Sequence, residues 1–487
     1  MAMYEYESLN KQFIDGEWVS GTGTTVLVDT NPYDDTVLTK LQGATTADVD
    51  RAYAAAAAAQ TAWAATNPFE RRLVLENVVR EVETHRADIA RLITEETGGT
   101  VIKTAVEIDL ALQMLREAVT LPVRMEGRIM PSPLPDRENL VYREPVGVVS
   151  VIGPFNFPFL LALKSVAPAL AVGNAVVVKP HEQTPILGGT ILAEIFRRAG
   201  LPDGVLNVIV ADIAELGDSF ITHPIPRVIS FTGSTTVGAH IGEVAARHFK
   251  RSVLELGGNS ALIVLEDADL ELAVDAAVFS RFTHQGQICL SANRLVVARP
   301  VYDRFVEGYL RKVESLPVGD PRDPATIVGP LISDRQADTV ESLIEQAIAG
   351  NATALVRGVR SGRVLAPTVL AEVTTDMPIS REELFGPVAL VMAAGDEDDA
   401  IRIANATPFG LSGAVHSRDI DRAIRVARRI DSGMVHVNDG TIHDEPNVPF
   451  GGEKSSGVGR LNGESSLAEF TTLKWISVNR GRRQFPY

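Results

Sequence analysis

The chain has one cysteine in 487 residues, Cys289, closing the run Thr283-His284-Gln285-Gly286-Gln287-Ile288-Cys289. A solitary thiol has no partner in its own chain for a disulfide or a cysteine cluster, which leaves an inert buried filler or a nucleophile. Upstream, Leu254-Glu255-Leu256-Gly257-Gly258-Asn259 puts a carboxylate at the end of an apolar run, just before glycines that let backbone approach a ligand. Across a cleft from a nucleophile, Glu255 could act as general base for water; on a surface it would only pair with a cation. Gly153-Pro154-Phe155-Asn156-Phe157-Pro158 offers an asparagine whose amide could donate to a developing oxyanion, or could cap the helix that follows.

Two further segments have the chemistry of a ligand grip. Phe231-Thr232-Gly233-Ser234-Thr235-Thr236-Val237-Gly238 leaves a strand and enters a helix, where free N–H groups and the helix dipole could receive a phosphate. Its glycine spacing is neither the G-x-G-x-x-G fingerprint nor a Walker A loop, and a capped structural turn looks the same. Val178-Lys179-Pro180-His181-Glu182 follows another strand, and its Lys and Glu could hydrogen-bond ribose hydroxyls or simply form an ion pair in a solvated loop. The nine histidines show no metal-ligand spacing, so no metal site is expected. His284 could serve as base in a cysteine hydrolase, a reading that leaves both grip segments without a purpose.

These residues need a scaffold, and the apolar pattern supplies one. Strands are expected at Gly147 to Ile152, Ala175 to Lys179, Val205 to Val210 and Val228 to Phe231, separated by helices. Continuous Val/Ile runs alternating with helices indicate a parallel sheet covered on both faces. In the helix after Lys179, Thr184 reads as N-cap, Pro185 as first turn and Gly200 as the stop. A second series follows at Ala261 to Leu265, Leu295 to Ala298, Val388 to Met392, Ser412 to Val415 and Met434 to Val437, with amphipathic helices such as Ala400 to Ala404 and Ile420 to Ile430. Ahead of both, Thr45 and Asp48 form a capping-box pair before an alanine-rich helix, and Asn67-Pro68 opens a second helix ending near Gly98-Gly99. Between Arg124 and Glu144, prolines and Gly127 separate short extended pieces, the pattern of a protruding hairpin.

With hydrophobic residues at 45% and charged residues at 22%, the composition is that of a globular chain too long for a single core, so two domains or more are expected. A formal charge of -16 argues against a sequence-independent grip on nucleic acid or an anionic membrane. The basic run Arg480-Gly481-Arg482-Arg483 reads as a solvated tail. The first residues lack the pattern of a secretory signal, and no uncharged apolar run spans a bilayer. A reactive thiol persists most easily in a reducing compartment, which makes the cytoplasm the expected location.

In this order, the segments resemble the aldehyde dehydrogenase superfamily over essentially the whole chain. The most specific pieces are Glu255-Leu256-Gly257-Gly258-Asn259, Gly286-Gln287-Ile288-Cys289, Glu382-Glu383-Leu384-Phe385-Gly386-Pro387 and Pro449-Phe450-Gly451-Gly452. The resemblance implies that Cys289 is the nucleophile, Glu255 the general base, and Asn156 with the N–H of Cys289 the oxyanion hole. It implies adenine-ribose contacts at Lys179 and Glu182, a pyrophosphate loop at Gly233 and Ser234, further cofactor contacts at Gly238 and Leu256, and nicotinamide contacts at Glu383 and Phe385. A glutamate at 182 suits NAD better than NADP, whose 2′-phosphate would meet a carboxylate, although NADP use is compatible. One departure stands out. Many members carry a glutamate just after a Gly-x-Gly-Arg segment, where it helps a lysine relay protons, whereas here Gly459-Arg460 is followed by Leu461. Lys164, in the lysine's position, is therefore expected to lack its usual acidic partner while keeping the relay role that the resemblance implies.

The fold implied is α/β, with two doubly wound parallel-sheet domains and a small β oligomerisation arm. The expected division is a Rossmann-like cofactor domain at 1–123 and 147–254, a cysteine-bearing catalytic domain at 255–455, and the oligomerisation arm and C-terminal strand at 124–146 and 456–487. The wording around Cys289, together with Val437-Asn438-Asp439 and His443-Asp444-Glu445-Pro446, looks most like the benzaldehyde, vanillin and salicylaldehyde branch. Phe157, Leu161, Leu290 and Phe450 could wall a slot for a flat ring, or be ordinary core. The implied reaction is oxidation of an aldehyde to the acid through a Cys289 thioester, in a homodimer or homotetramer. The alternatives are an aliphatic or semialdehyde dehydrogenase, transfer of the acyl group to coenzyme A, a catalytically silent relative, and a cysteine hydrolase or acyltransferase without redox chemistry.

Overall fold

The structure, a computed structural model, describes residues 3–487. The first strand series forms an eight-stranded sheet in the order Glu17–Val19, Gln12–Ile14, Leu206–Val208, Ala175–Lys179, Val148–Ile152, Val228–Thr232, Arg251–Glu255, Gly457–Val458. Its interior strands are parallel and its two ends antiparallel. From Val148–Ile152 the chain passes first to Ala175–Lys179 on one side and later to Val228–Thr232 on the other. The loops at the carboxyl ends of these strands therefore splay apart at a switch point, where doubly wound sheets leave a crevice.

The second series forms a seven-stranded sheet, Thr353–Val356, Thr368–Ala371, Val388–Ala394, Ala292–Ala298, Ser260–Val264, Gly413–His416, His436–Val437, antiparallel only at its first edge. The two sheets follow each other across the short link from Leu256 to Asn259. A third, three-stranded sheet joins Arg128–Met130, Arg137–Pro145 and Thr471–Asn479, the last paired with Arg137–Pro145 along its full length. This is the expected hairpin, completed by a strand from the far end of the chain. Apolar helices from the first third pack against the Pro158–Ala171 helix to form the largest core cluster.

Several local expectations are met. Thr45 and Asp48 form a reciprocal capping box ahead of Thr46–Ala65, and Asn67 caps the helix begun by Pro68. Three differ. The segment after Asn67 is two helices, Pro68–Thr84 and Arg86–Thr97, because His85 leaves helical geometry and packs edge-on against Tyr4. Thr184 is not a cap, since its hydroxyl is buried without a hydrogen-bond partner. There the chain enters its helix through a wide turn, Ile186–Thr190, whose Ile186 and Leu187 N–H groups donate to the buried carboxylate of Glu96, both at 2.8 Å. A carboxylate brought by tertiary packing replaces the local cap. Lastly, Gly457–Val458 belongs to the first sheet, beside Leu254 and Glu255, so the segment from 456 onward is not wholly arm.

Candidate functional site

Cys289 lies in the turn between the Leu270–Phe282 helix and the Ala292–Ala298 strand. Ahead of it, His284, Gln285 and Gly286 take left-handed φ of 49°, 55° and 73°, a costly conformation for the two non-glycines that only surrounding contacts can hold. Gln285 Nε2 donates to the Pro330 carbonyl at 2.8 Å, Gln287 Oε1 accepts the Ile332 N–H at 3.0 Å, and the buried Arg281 guanidinium grips the carbonyls of Gly286 and Gly386. The sulfur is held on a turn fixed from several sides. Gly258 lies against it, and a Cβ there would come within 2.1 Å of the Cys289 carbonyl oxygen. That spacing brings the Glu255 segment up to the cysteine turn.

Glu255 ends its strand buried, and neither carboxylate oxygen has a hydrogen-bond partner. Burial raises its pKa to about 8, with Lys164 and Arg460 pulling the other way. A carboxyl with a pKa there is poised to take and release a proton near neutrality. Burial, followed by the carboxylates of Glu383 and Glu255, pushes the Cys289 thiol up to about 12. Asn156 is buried and donates through Nδ2 to the Gln287 carbonyl at 2.9 Å, which ties the amide to the cysteine turn. The helix behind it is anchored by Glu107, whose Oε1 accepts the Phe159 and Leu160 N–H groups at 3.0 and 3.2 Å and whose other oxygen pairs with buried Lys103.

A cavity of about 1030 Å³ runs from Cys289 along the carboxyl ends of the first sheet. Its walls include Asn156, Lys179, Glu182, Gly233, Ser234, Glu255, Leu256, Cys289, Glu383 and Phe385. Lys179 and Glu182 pair at 2.7 Å. Although burial pushes the Glu182 carboxyl up, Lys179 and His181 more than offset it and hold the group ionised. Ser234 caps the Thr235–Arg247 helix, whose first turn opens into the cavity. Glu383 Oε1 accepts the Gly258 N–H at 3.0 Å, and Phe385 stands edge-on to Phe155 with centroids 5.7 Å apart. An ionised carboxylate at one end, a helix N-terminus in the middle and an aromatic beside the sulfur fit an extended dinucleotide with its ring end at Cys289.

The chain matches the aldehyde dehydrogenase family over residues 18–476. It belongs to that family. The chain is 59% identical to benzaldehyde dehydrogenase YfmT of Bacillus subtilis, with both chains covered in full. Its structure superposes with a TM-score of 0.91 on an NAD-dependent benzaldehyde dehydrogenase from Corynebacterium glutamicum, 45% identical, covering 98% of each chain. A salicylaldehyde dehydrogenase from Pseudomonas putida G7, solved with salicylaldehyde, gives a TM-score of 0.94 at 37% identity, covering 98% of this chain and 99% of that one.

Within this aldehyde dehydrogenase, some expected residues take other roles. Gly238 does not line the cavity; a Cβ there would come within 2.2 Å of the Leu256 side chain, so the glycine lets the helix lie on that leucine. Of the four residues expected to wall a substrate slot, Leu161 lines the cavity, whereas Phe157, Leu290 and Phe450 are buried in the apolar cluster that packs around Cys289. Phe157 is sandwiched between Lys103 and His284, and Phe450 lies under Lys164. His284 has no hydrogen-bond partner at either ring nitrogen, and burial followed by Lys103 drives its pKa well down, which removes it as a base for the thiol.

Lys164 does have an acidic partner, contrary to expectation. Its Nζ pairs with Asp444 Oδ2 at 2.6 Å. The acid that Leu461 lacks arrives from the His443-Asp444-Glu445 loop instead, a connection that only tertiary structure reveals. Sequence reasoning also missed Ser333, Arg335 and Gln336, which line the cavity from the start of the Asp334–Ala349 helix. The Ser333-x-x-Gln336 spacing is a helix-start signal that could have marked them.

Proposed function

We propose that this chain oxidises aromatic aldehydes of the benzaldehyde type to carboxylic acids with NAD, passing through a thioester on Cys289. The observation that carries the reading is the position of Cys289, which lines the dinucleotide-sized cavity together with Phe155, Leu161 and Phe385 and packs on the apolar core that holds Phe157, Leu290 and Phe450. A flat apolar ring suits such walls, and the benzaldehyde and salicylaldehyde relatives support the same substrate class.

The Cys289 sulfur gives up its proton to solvent in the open cavity as it attacks the aldehyde carbonyl, since burial and then the carboxylates of Glu383 and Glu255 disfavour a resting thiolate. The tetrahedral oxyanion takes hydrogen bonds from Asn156 Nδ2 and the Cys289 N–H, and removing one such donor typically costs about 3–4 kcal/mol. When bound, the dinucleotide supplies the hydride acceptor. Lys179, Glu182 and the turn at Gly233 and Ser234 would hold its ribose and phosphates, and Glu383 and Phe385 its ring end. Collapse of the oxyanion leaves an acyl thioester, which Glu255 resolves by taking a proton from the attacking water. Sulfur suits both halves because it attacks well and leaves well. Ionised Glu182 supports NAD over NADP.

The test is NADH formation with benzaldehyde, vanillin, succinic semialdehyde and a short aliphatic aldehyde, for the wild type and Cys289→Ser. Turnover of the aromatic aldehydes, abolished in the variant, is expected. Turnover of only the aliphatic or semialdehyde substrates overturns the substrate class, and no NADH with any of them overturns the reaction.

The proposed division follows the sheets, with the cofactor held by the first and the cysteine carried by the second. The exposed arm sheet supports assembly into a homodimer or homotetramer. The free thiol supports a reducing, cytoplasmic setting, and among the described residues no helix is long and apolar enough to cross a membrane.

A further inference from the structure

A base that takes a proton from water at every turnover must return it to solvent, and Glu255 is buried with no hydrogen-bond partner to pass it to. Its Oε1 lies against Gly451, where a Cβ would come within 2.9 Å of it. The neighbouring Phe450 ring carries the Lys164 ammonium 3.2 Å above its centre, and that ammonium is close enough to Glu255 to act on its charge, with no direct ion pair between them. Beyond Lys164 the arrangement continues outward. Lys164 Nζ donates to Asp444 Oδ2 at 2.6 Å, with side-chain exposures of 2% and 9%, and Asn462 Nδ2 holds the other Asp444 oxygen at 2.8 Å. A recess of about 10 Å³, room for one water, is lined by Lys164, Asn462, Glu117 and Ser466, none of which lines the main cavity.

We propose that Asp444 is the acceptor through which Lys164 carries the Glu255 proton out of the active site, replacing an acid at position 461. The proposal rests on Glu255 being the deacylation base.

Water attack on the thioester leaves one proton on Glu255. Lys164 passes a proton from Nζ to Asp444 Oδ2, converting the pair to neutral amine and carboxylic acid. The amine lone pair then takes the Glu255 proton through an intervening water, and Asp444 releases its own to solvent. Glu255 ends as carboxylate, Lys164 as ammonium, and one proton has left. The Asn462 clamp keeps Oδ2 aimed at the lysine while Oδ1 is occupied. Other charged groups nearby are already engaged. Glu117 pairs with Arg124, His443 with Glu445, and Arg460 with Glu453 and the carbonyls of Gly452 and Gly459.

The experiment compares wild type, Asp444→Asn, Asp444→Glu and Glu255→Gln, measuring the pre-steady-state NADH burst, the steady rate from pH 6 to 10, and thermal stability. For Asp444→Asn we expect a normal burst amplitude, a steady rate lower by about tenfold or more, and partial rescue by imidazole or another small buffer base. Asp444→Glu should recover much of the steady rate. If Asp444→Asn lowers burst and steady rate together, or changes neither, the inference is overturned. If Asp444→Asn does not fold, Asp444→Ser, which also lacks the carboxylate, takes its place, and an unchanged steady rate and pH profile in it overturn the inference. Loss of steady turnover in Glu255→Gln but not in Asp444→Asn overturns the exit path alone, whereas full steady turnover in Glu255→Gln removes the base itself.

Discussion

At the scale of single residues, the environment of Glu255 links fold to rate. Its carboxyl has a pKa of about 8 through burial, so the water-activating anion becomes more abundant as pH rises. The steady rate should therefore climb through about pH 8. Glu255→Gln should lack that limb, keep a single burst of NADH, and lose steady turnover by about 100-fold or more, as stopped-flow absorbance would show. The sign for stability is opposite. A carboxyl with its folded pKa raised from 4.5 to about 8 favours the fold while protonated, and that contribution is lost as pH rises through about 8. Cys289, Glu255 and Asn156 could be read from the sequence because each stands beside a strand end with diagnostic neighbours. Asp444 could not be linked to Lys164, because nothing local joins a loop acid to a helix lysine so distant in the chain.

Among the elements, two buried glutamates do work that local sequence rules assign to caps. Glu96 receives the N–H groups of Ile186 and Leu187, and Glu107 those of Phe159 and Leu160, so helices of the first third hold the starts of two helices of the cofactor sheet. The strands and many helix bounds were legible because apolar period and Gly/Pro punctuation are local signals. These anchors were not, since a glutamate inside a helix looks like a surface residue until its neighbours are known. Replacing Glu107 by Gln leaves the Lys103 charge buried without its counterion, and such a loss costs about 3–5 kcal/mol. We expect Glu107→Gln to lower denaturant stability by about that amount, and to lower kcat through the loosened Asn156 loop. Chemical unfolding together with steady-state kinetics would check both.

For the molecule as a whole, the arm is the part least able to stand alone. Leu473 and Trp475 project from one face of its three-stranded sheet and Ile129 and Ile476 from the other, all exposed. Apolar side chains gathered on a small protruding sheet are the mark of a surface that meets another. If that surface joins copies of the chain, Leu473→Glu with Trp475→Glu should reduce the particle to single-chain mass, measured by light scattering, while its circular dichroism is retained. An unchanged mass would place the contact elsewhere.

The pairing of Gly457–Val458 with Leu254–Glu255 also bears on synthesis. Domains tend to fold as they leave the ribosome, N-terminal parts first. The edge of the strand that ends at Glu255 cannot close until residues some two hundred positions later have been made. A nascent chain therefore carries its complete cysteine turn long before the strand ending at Glu255 gains its last neighbour.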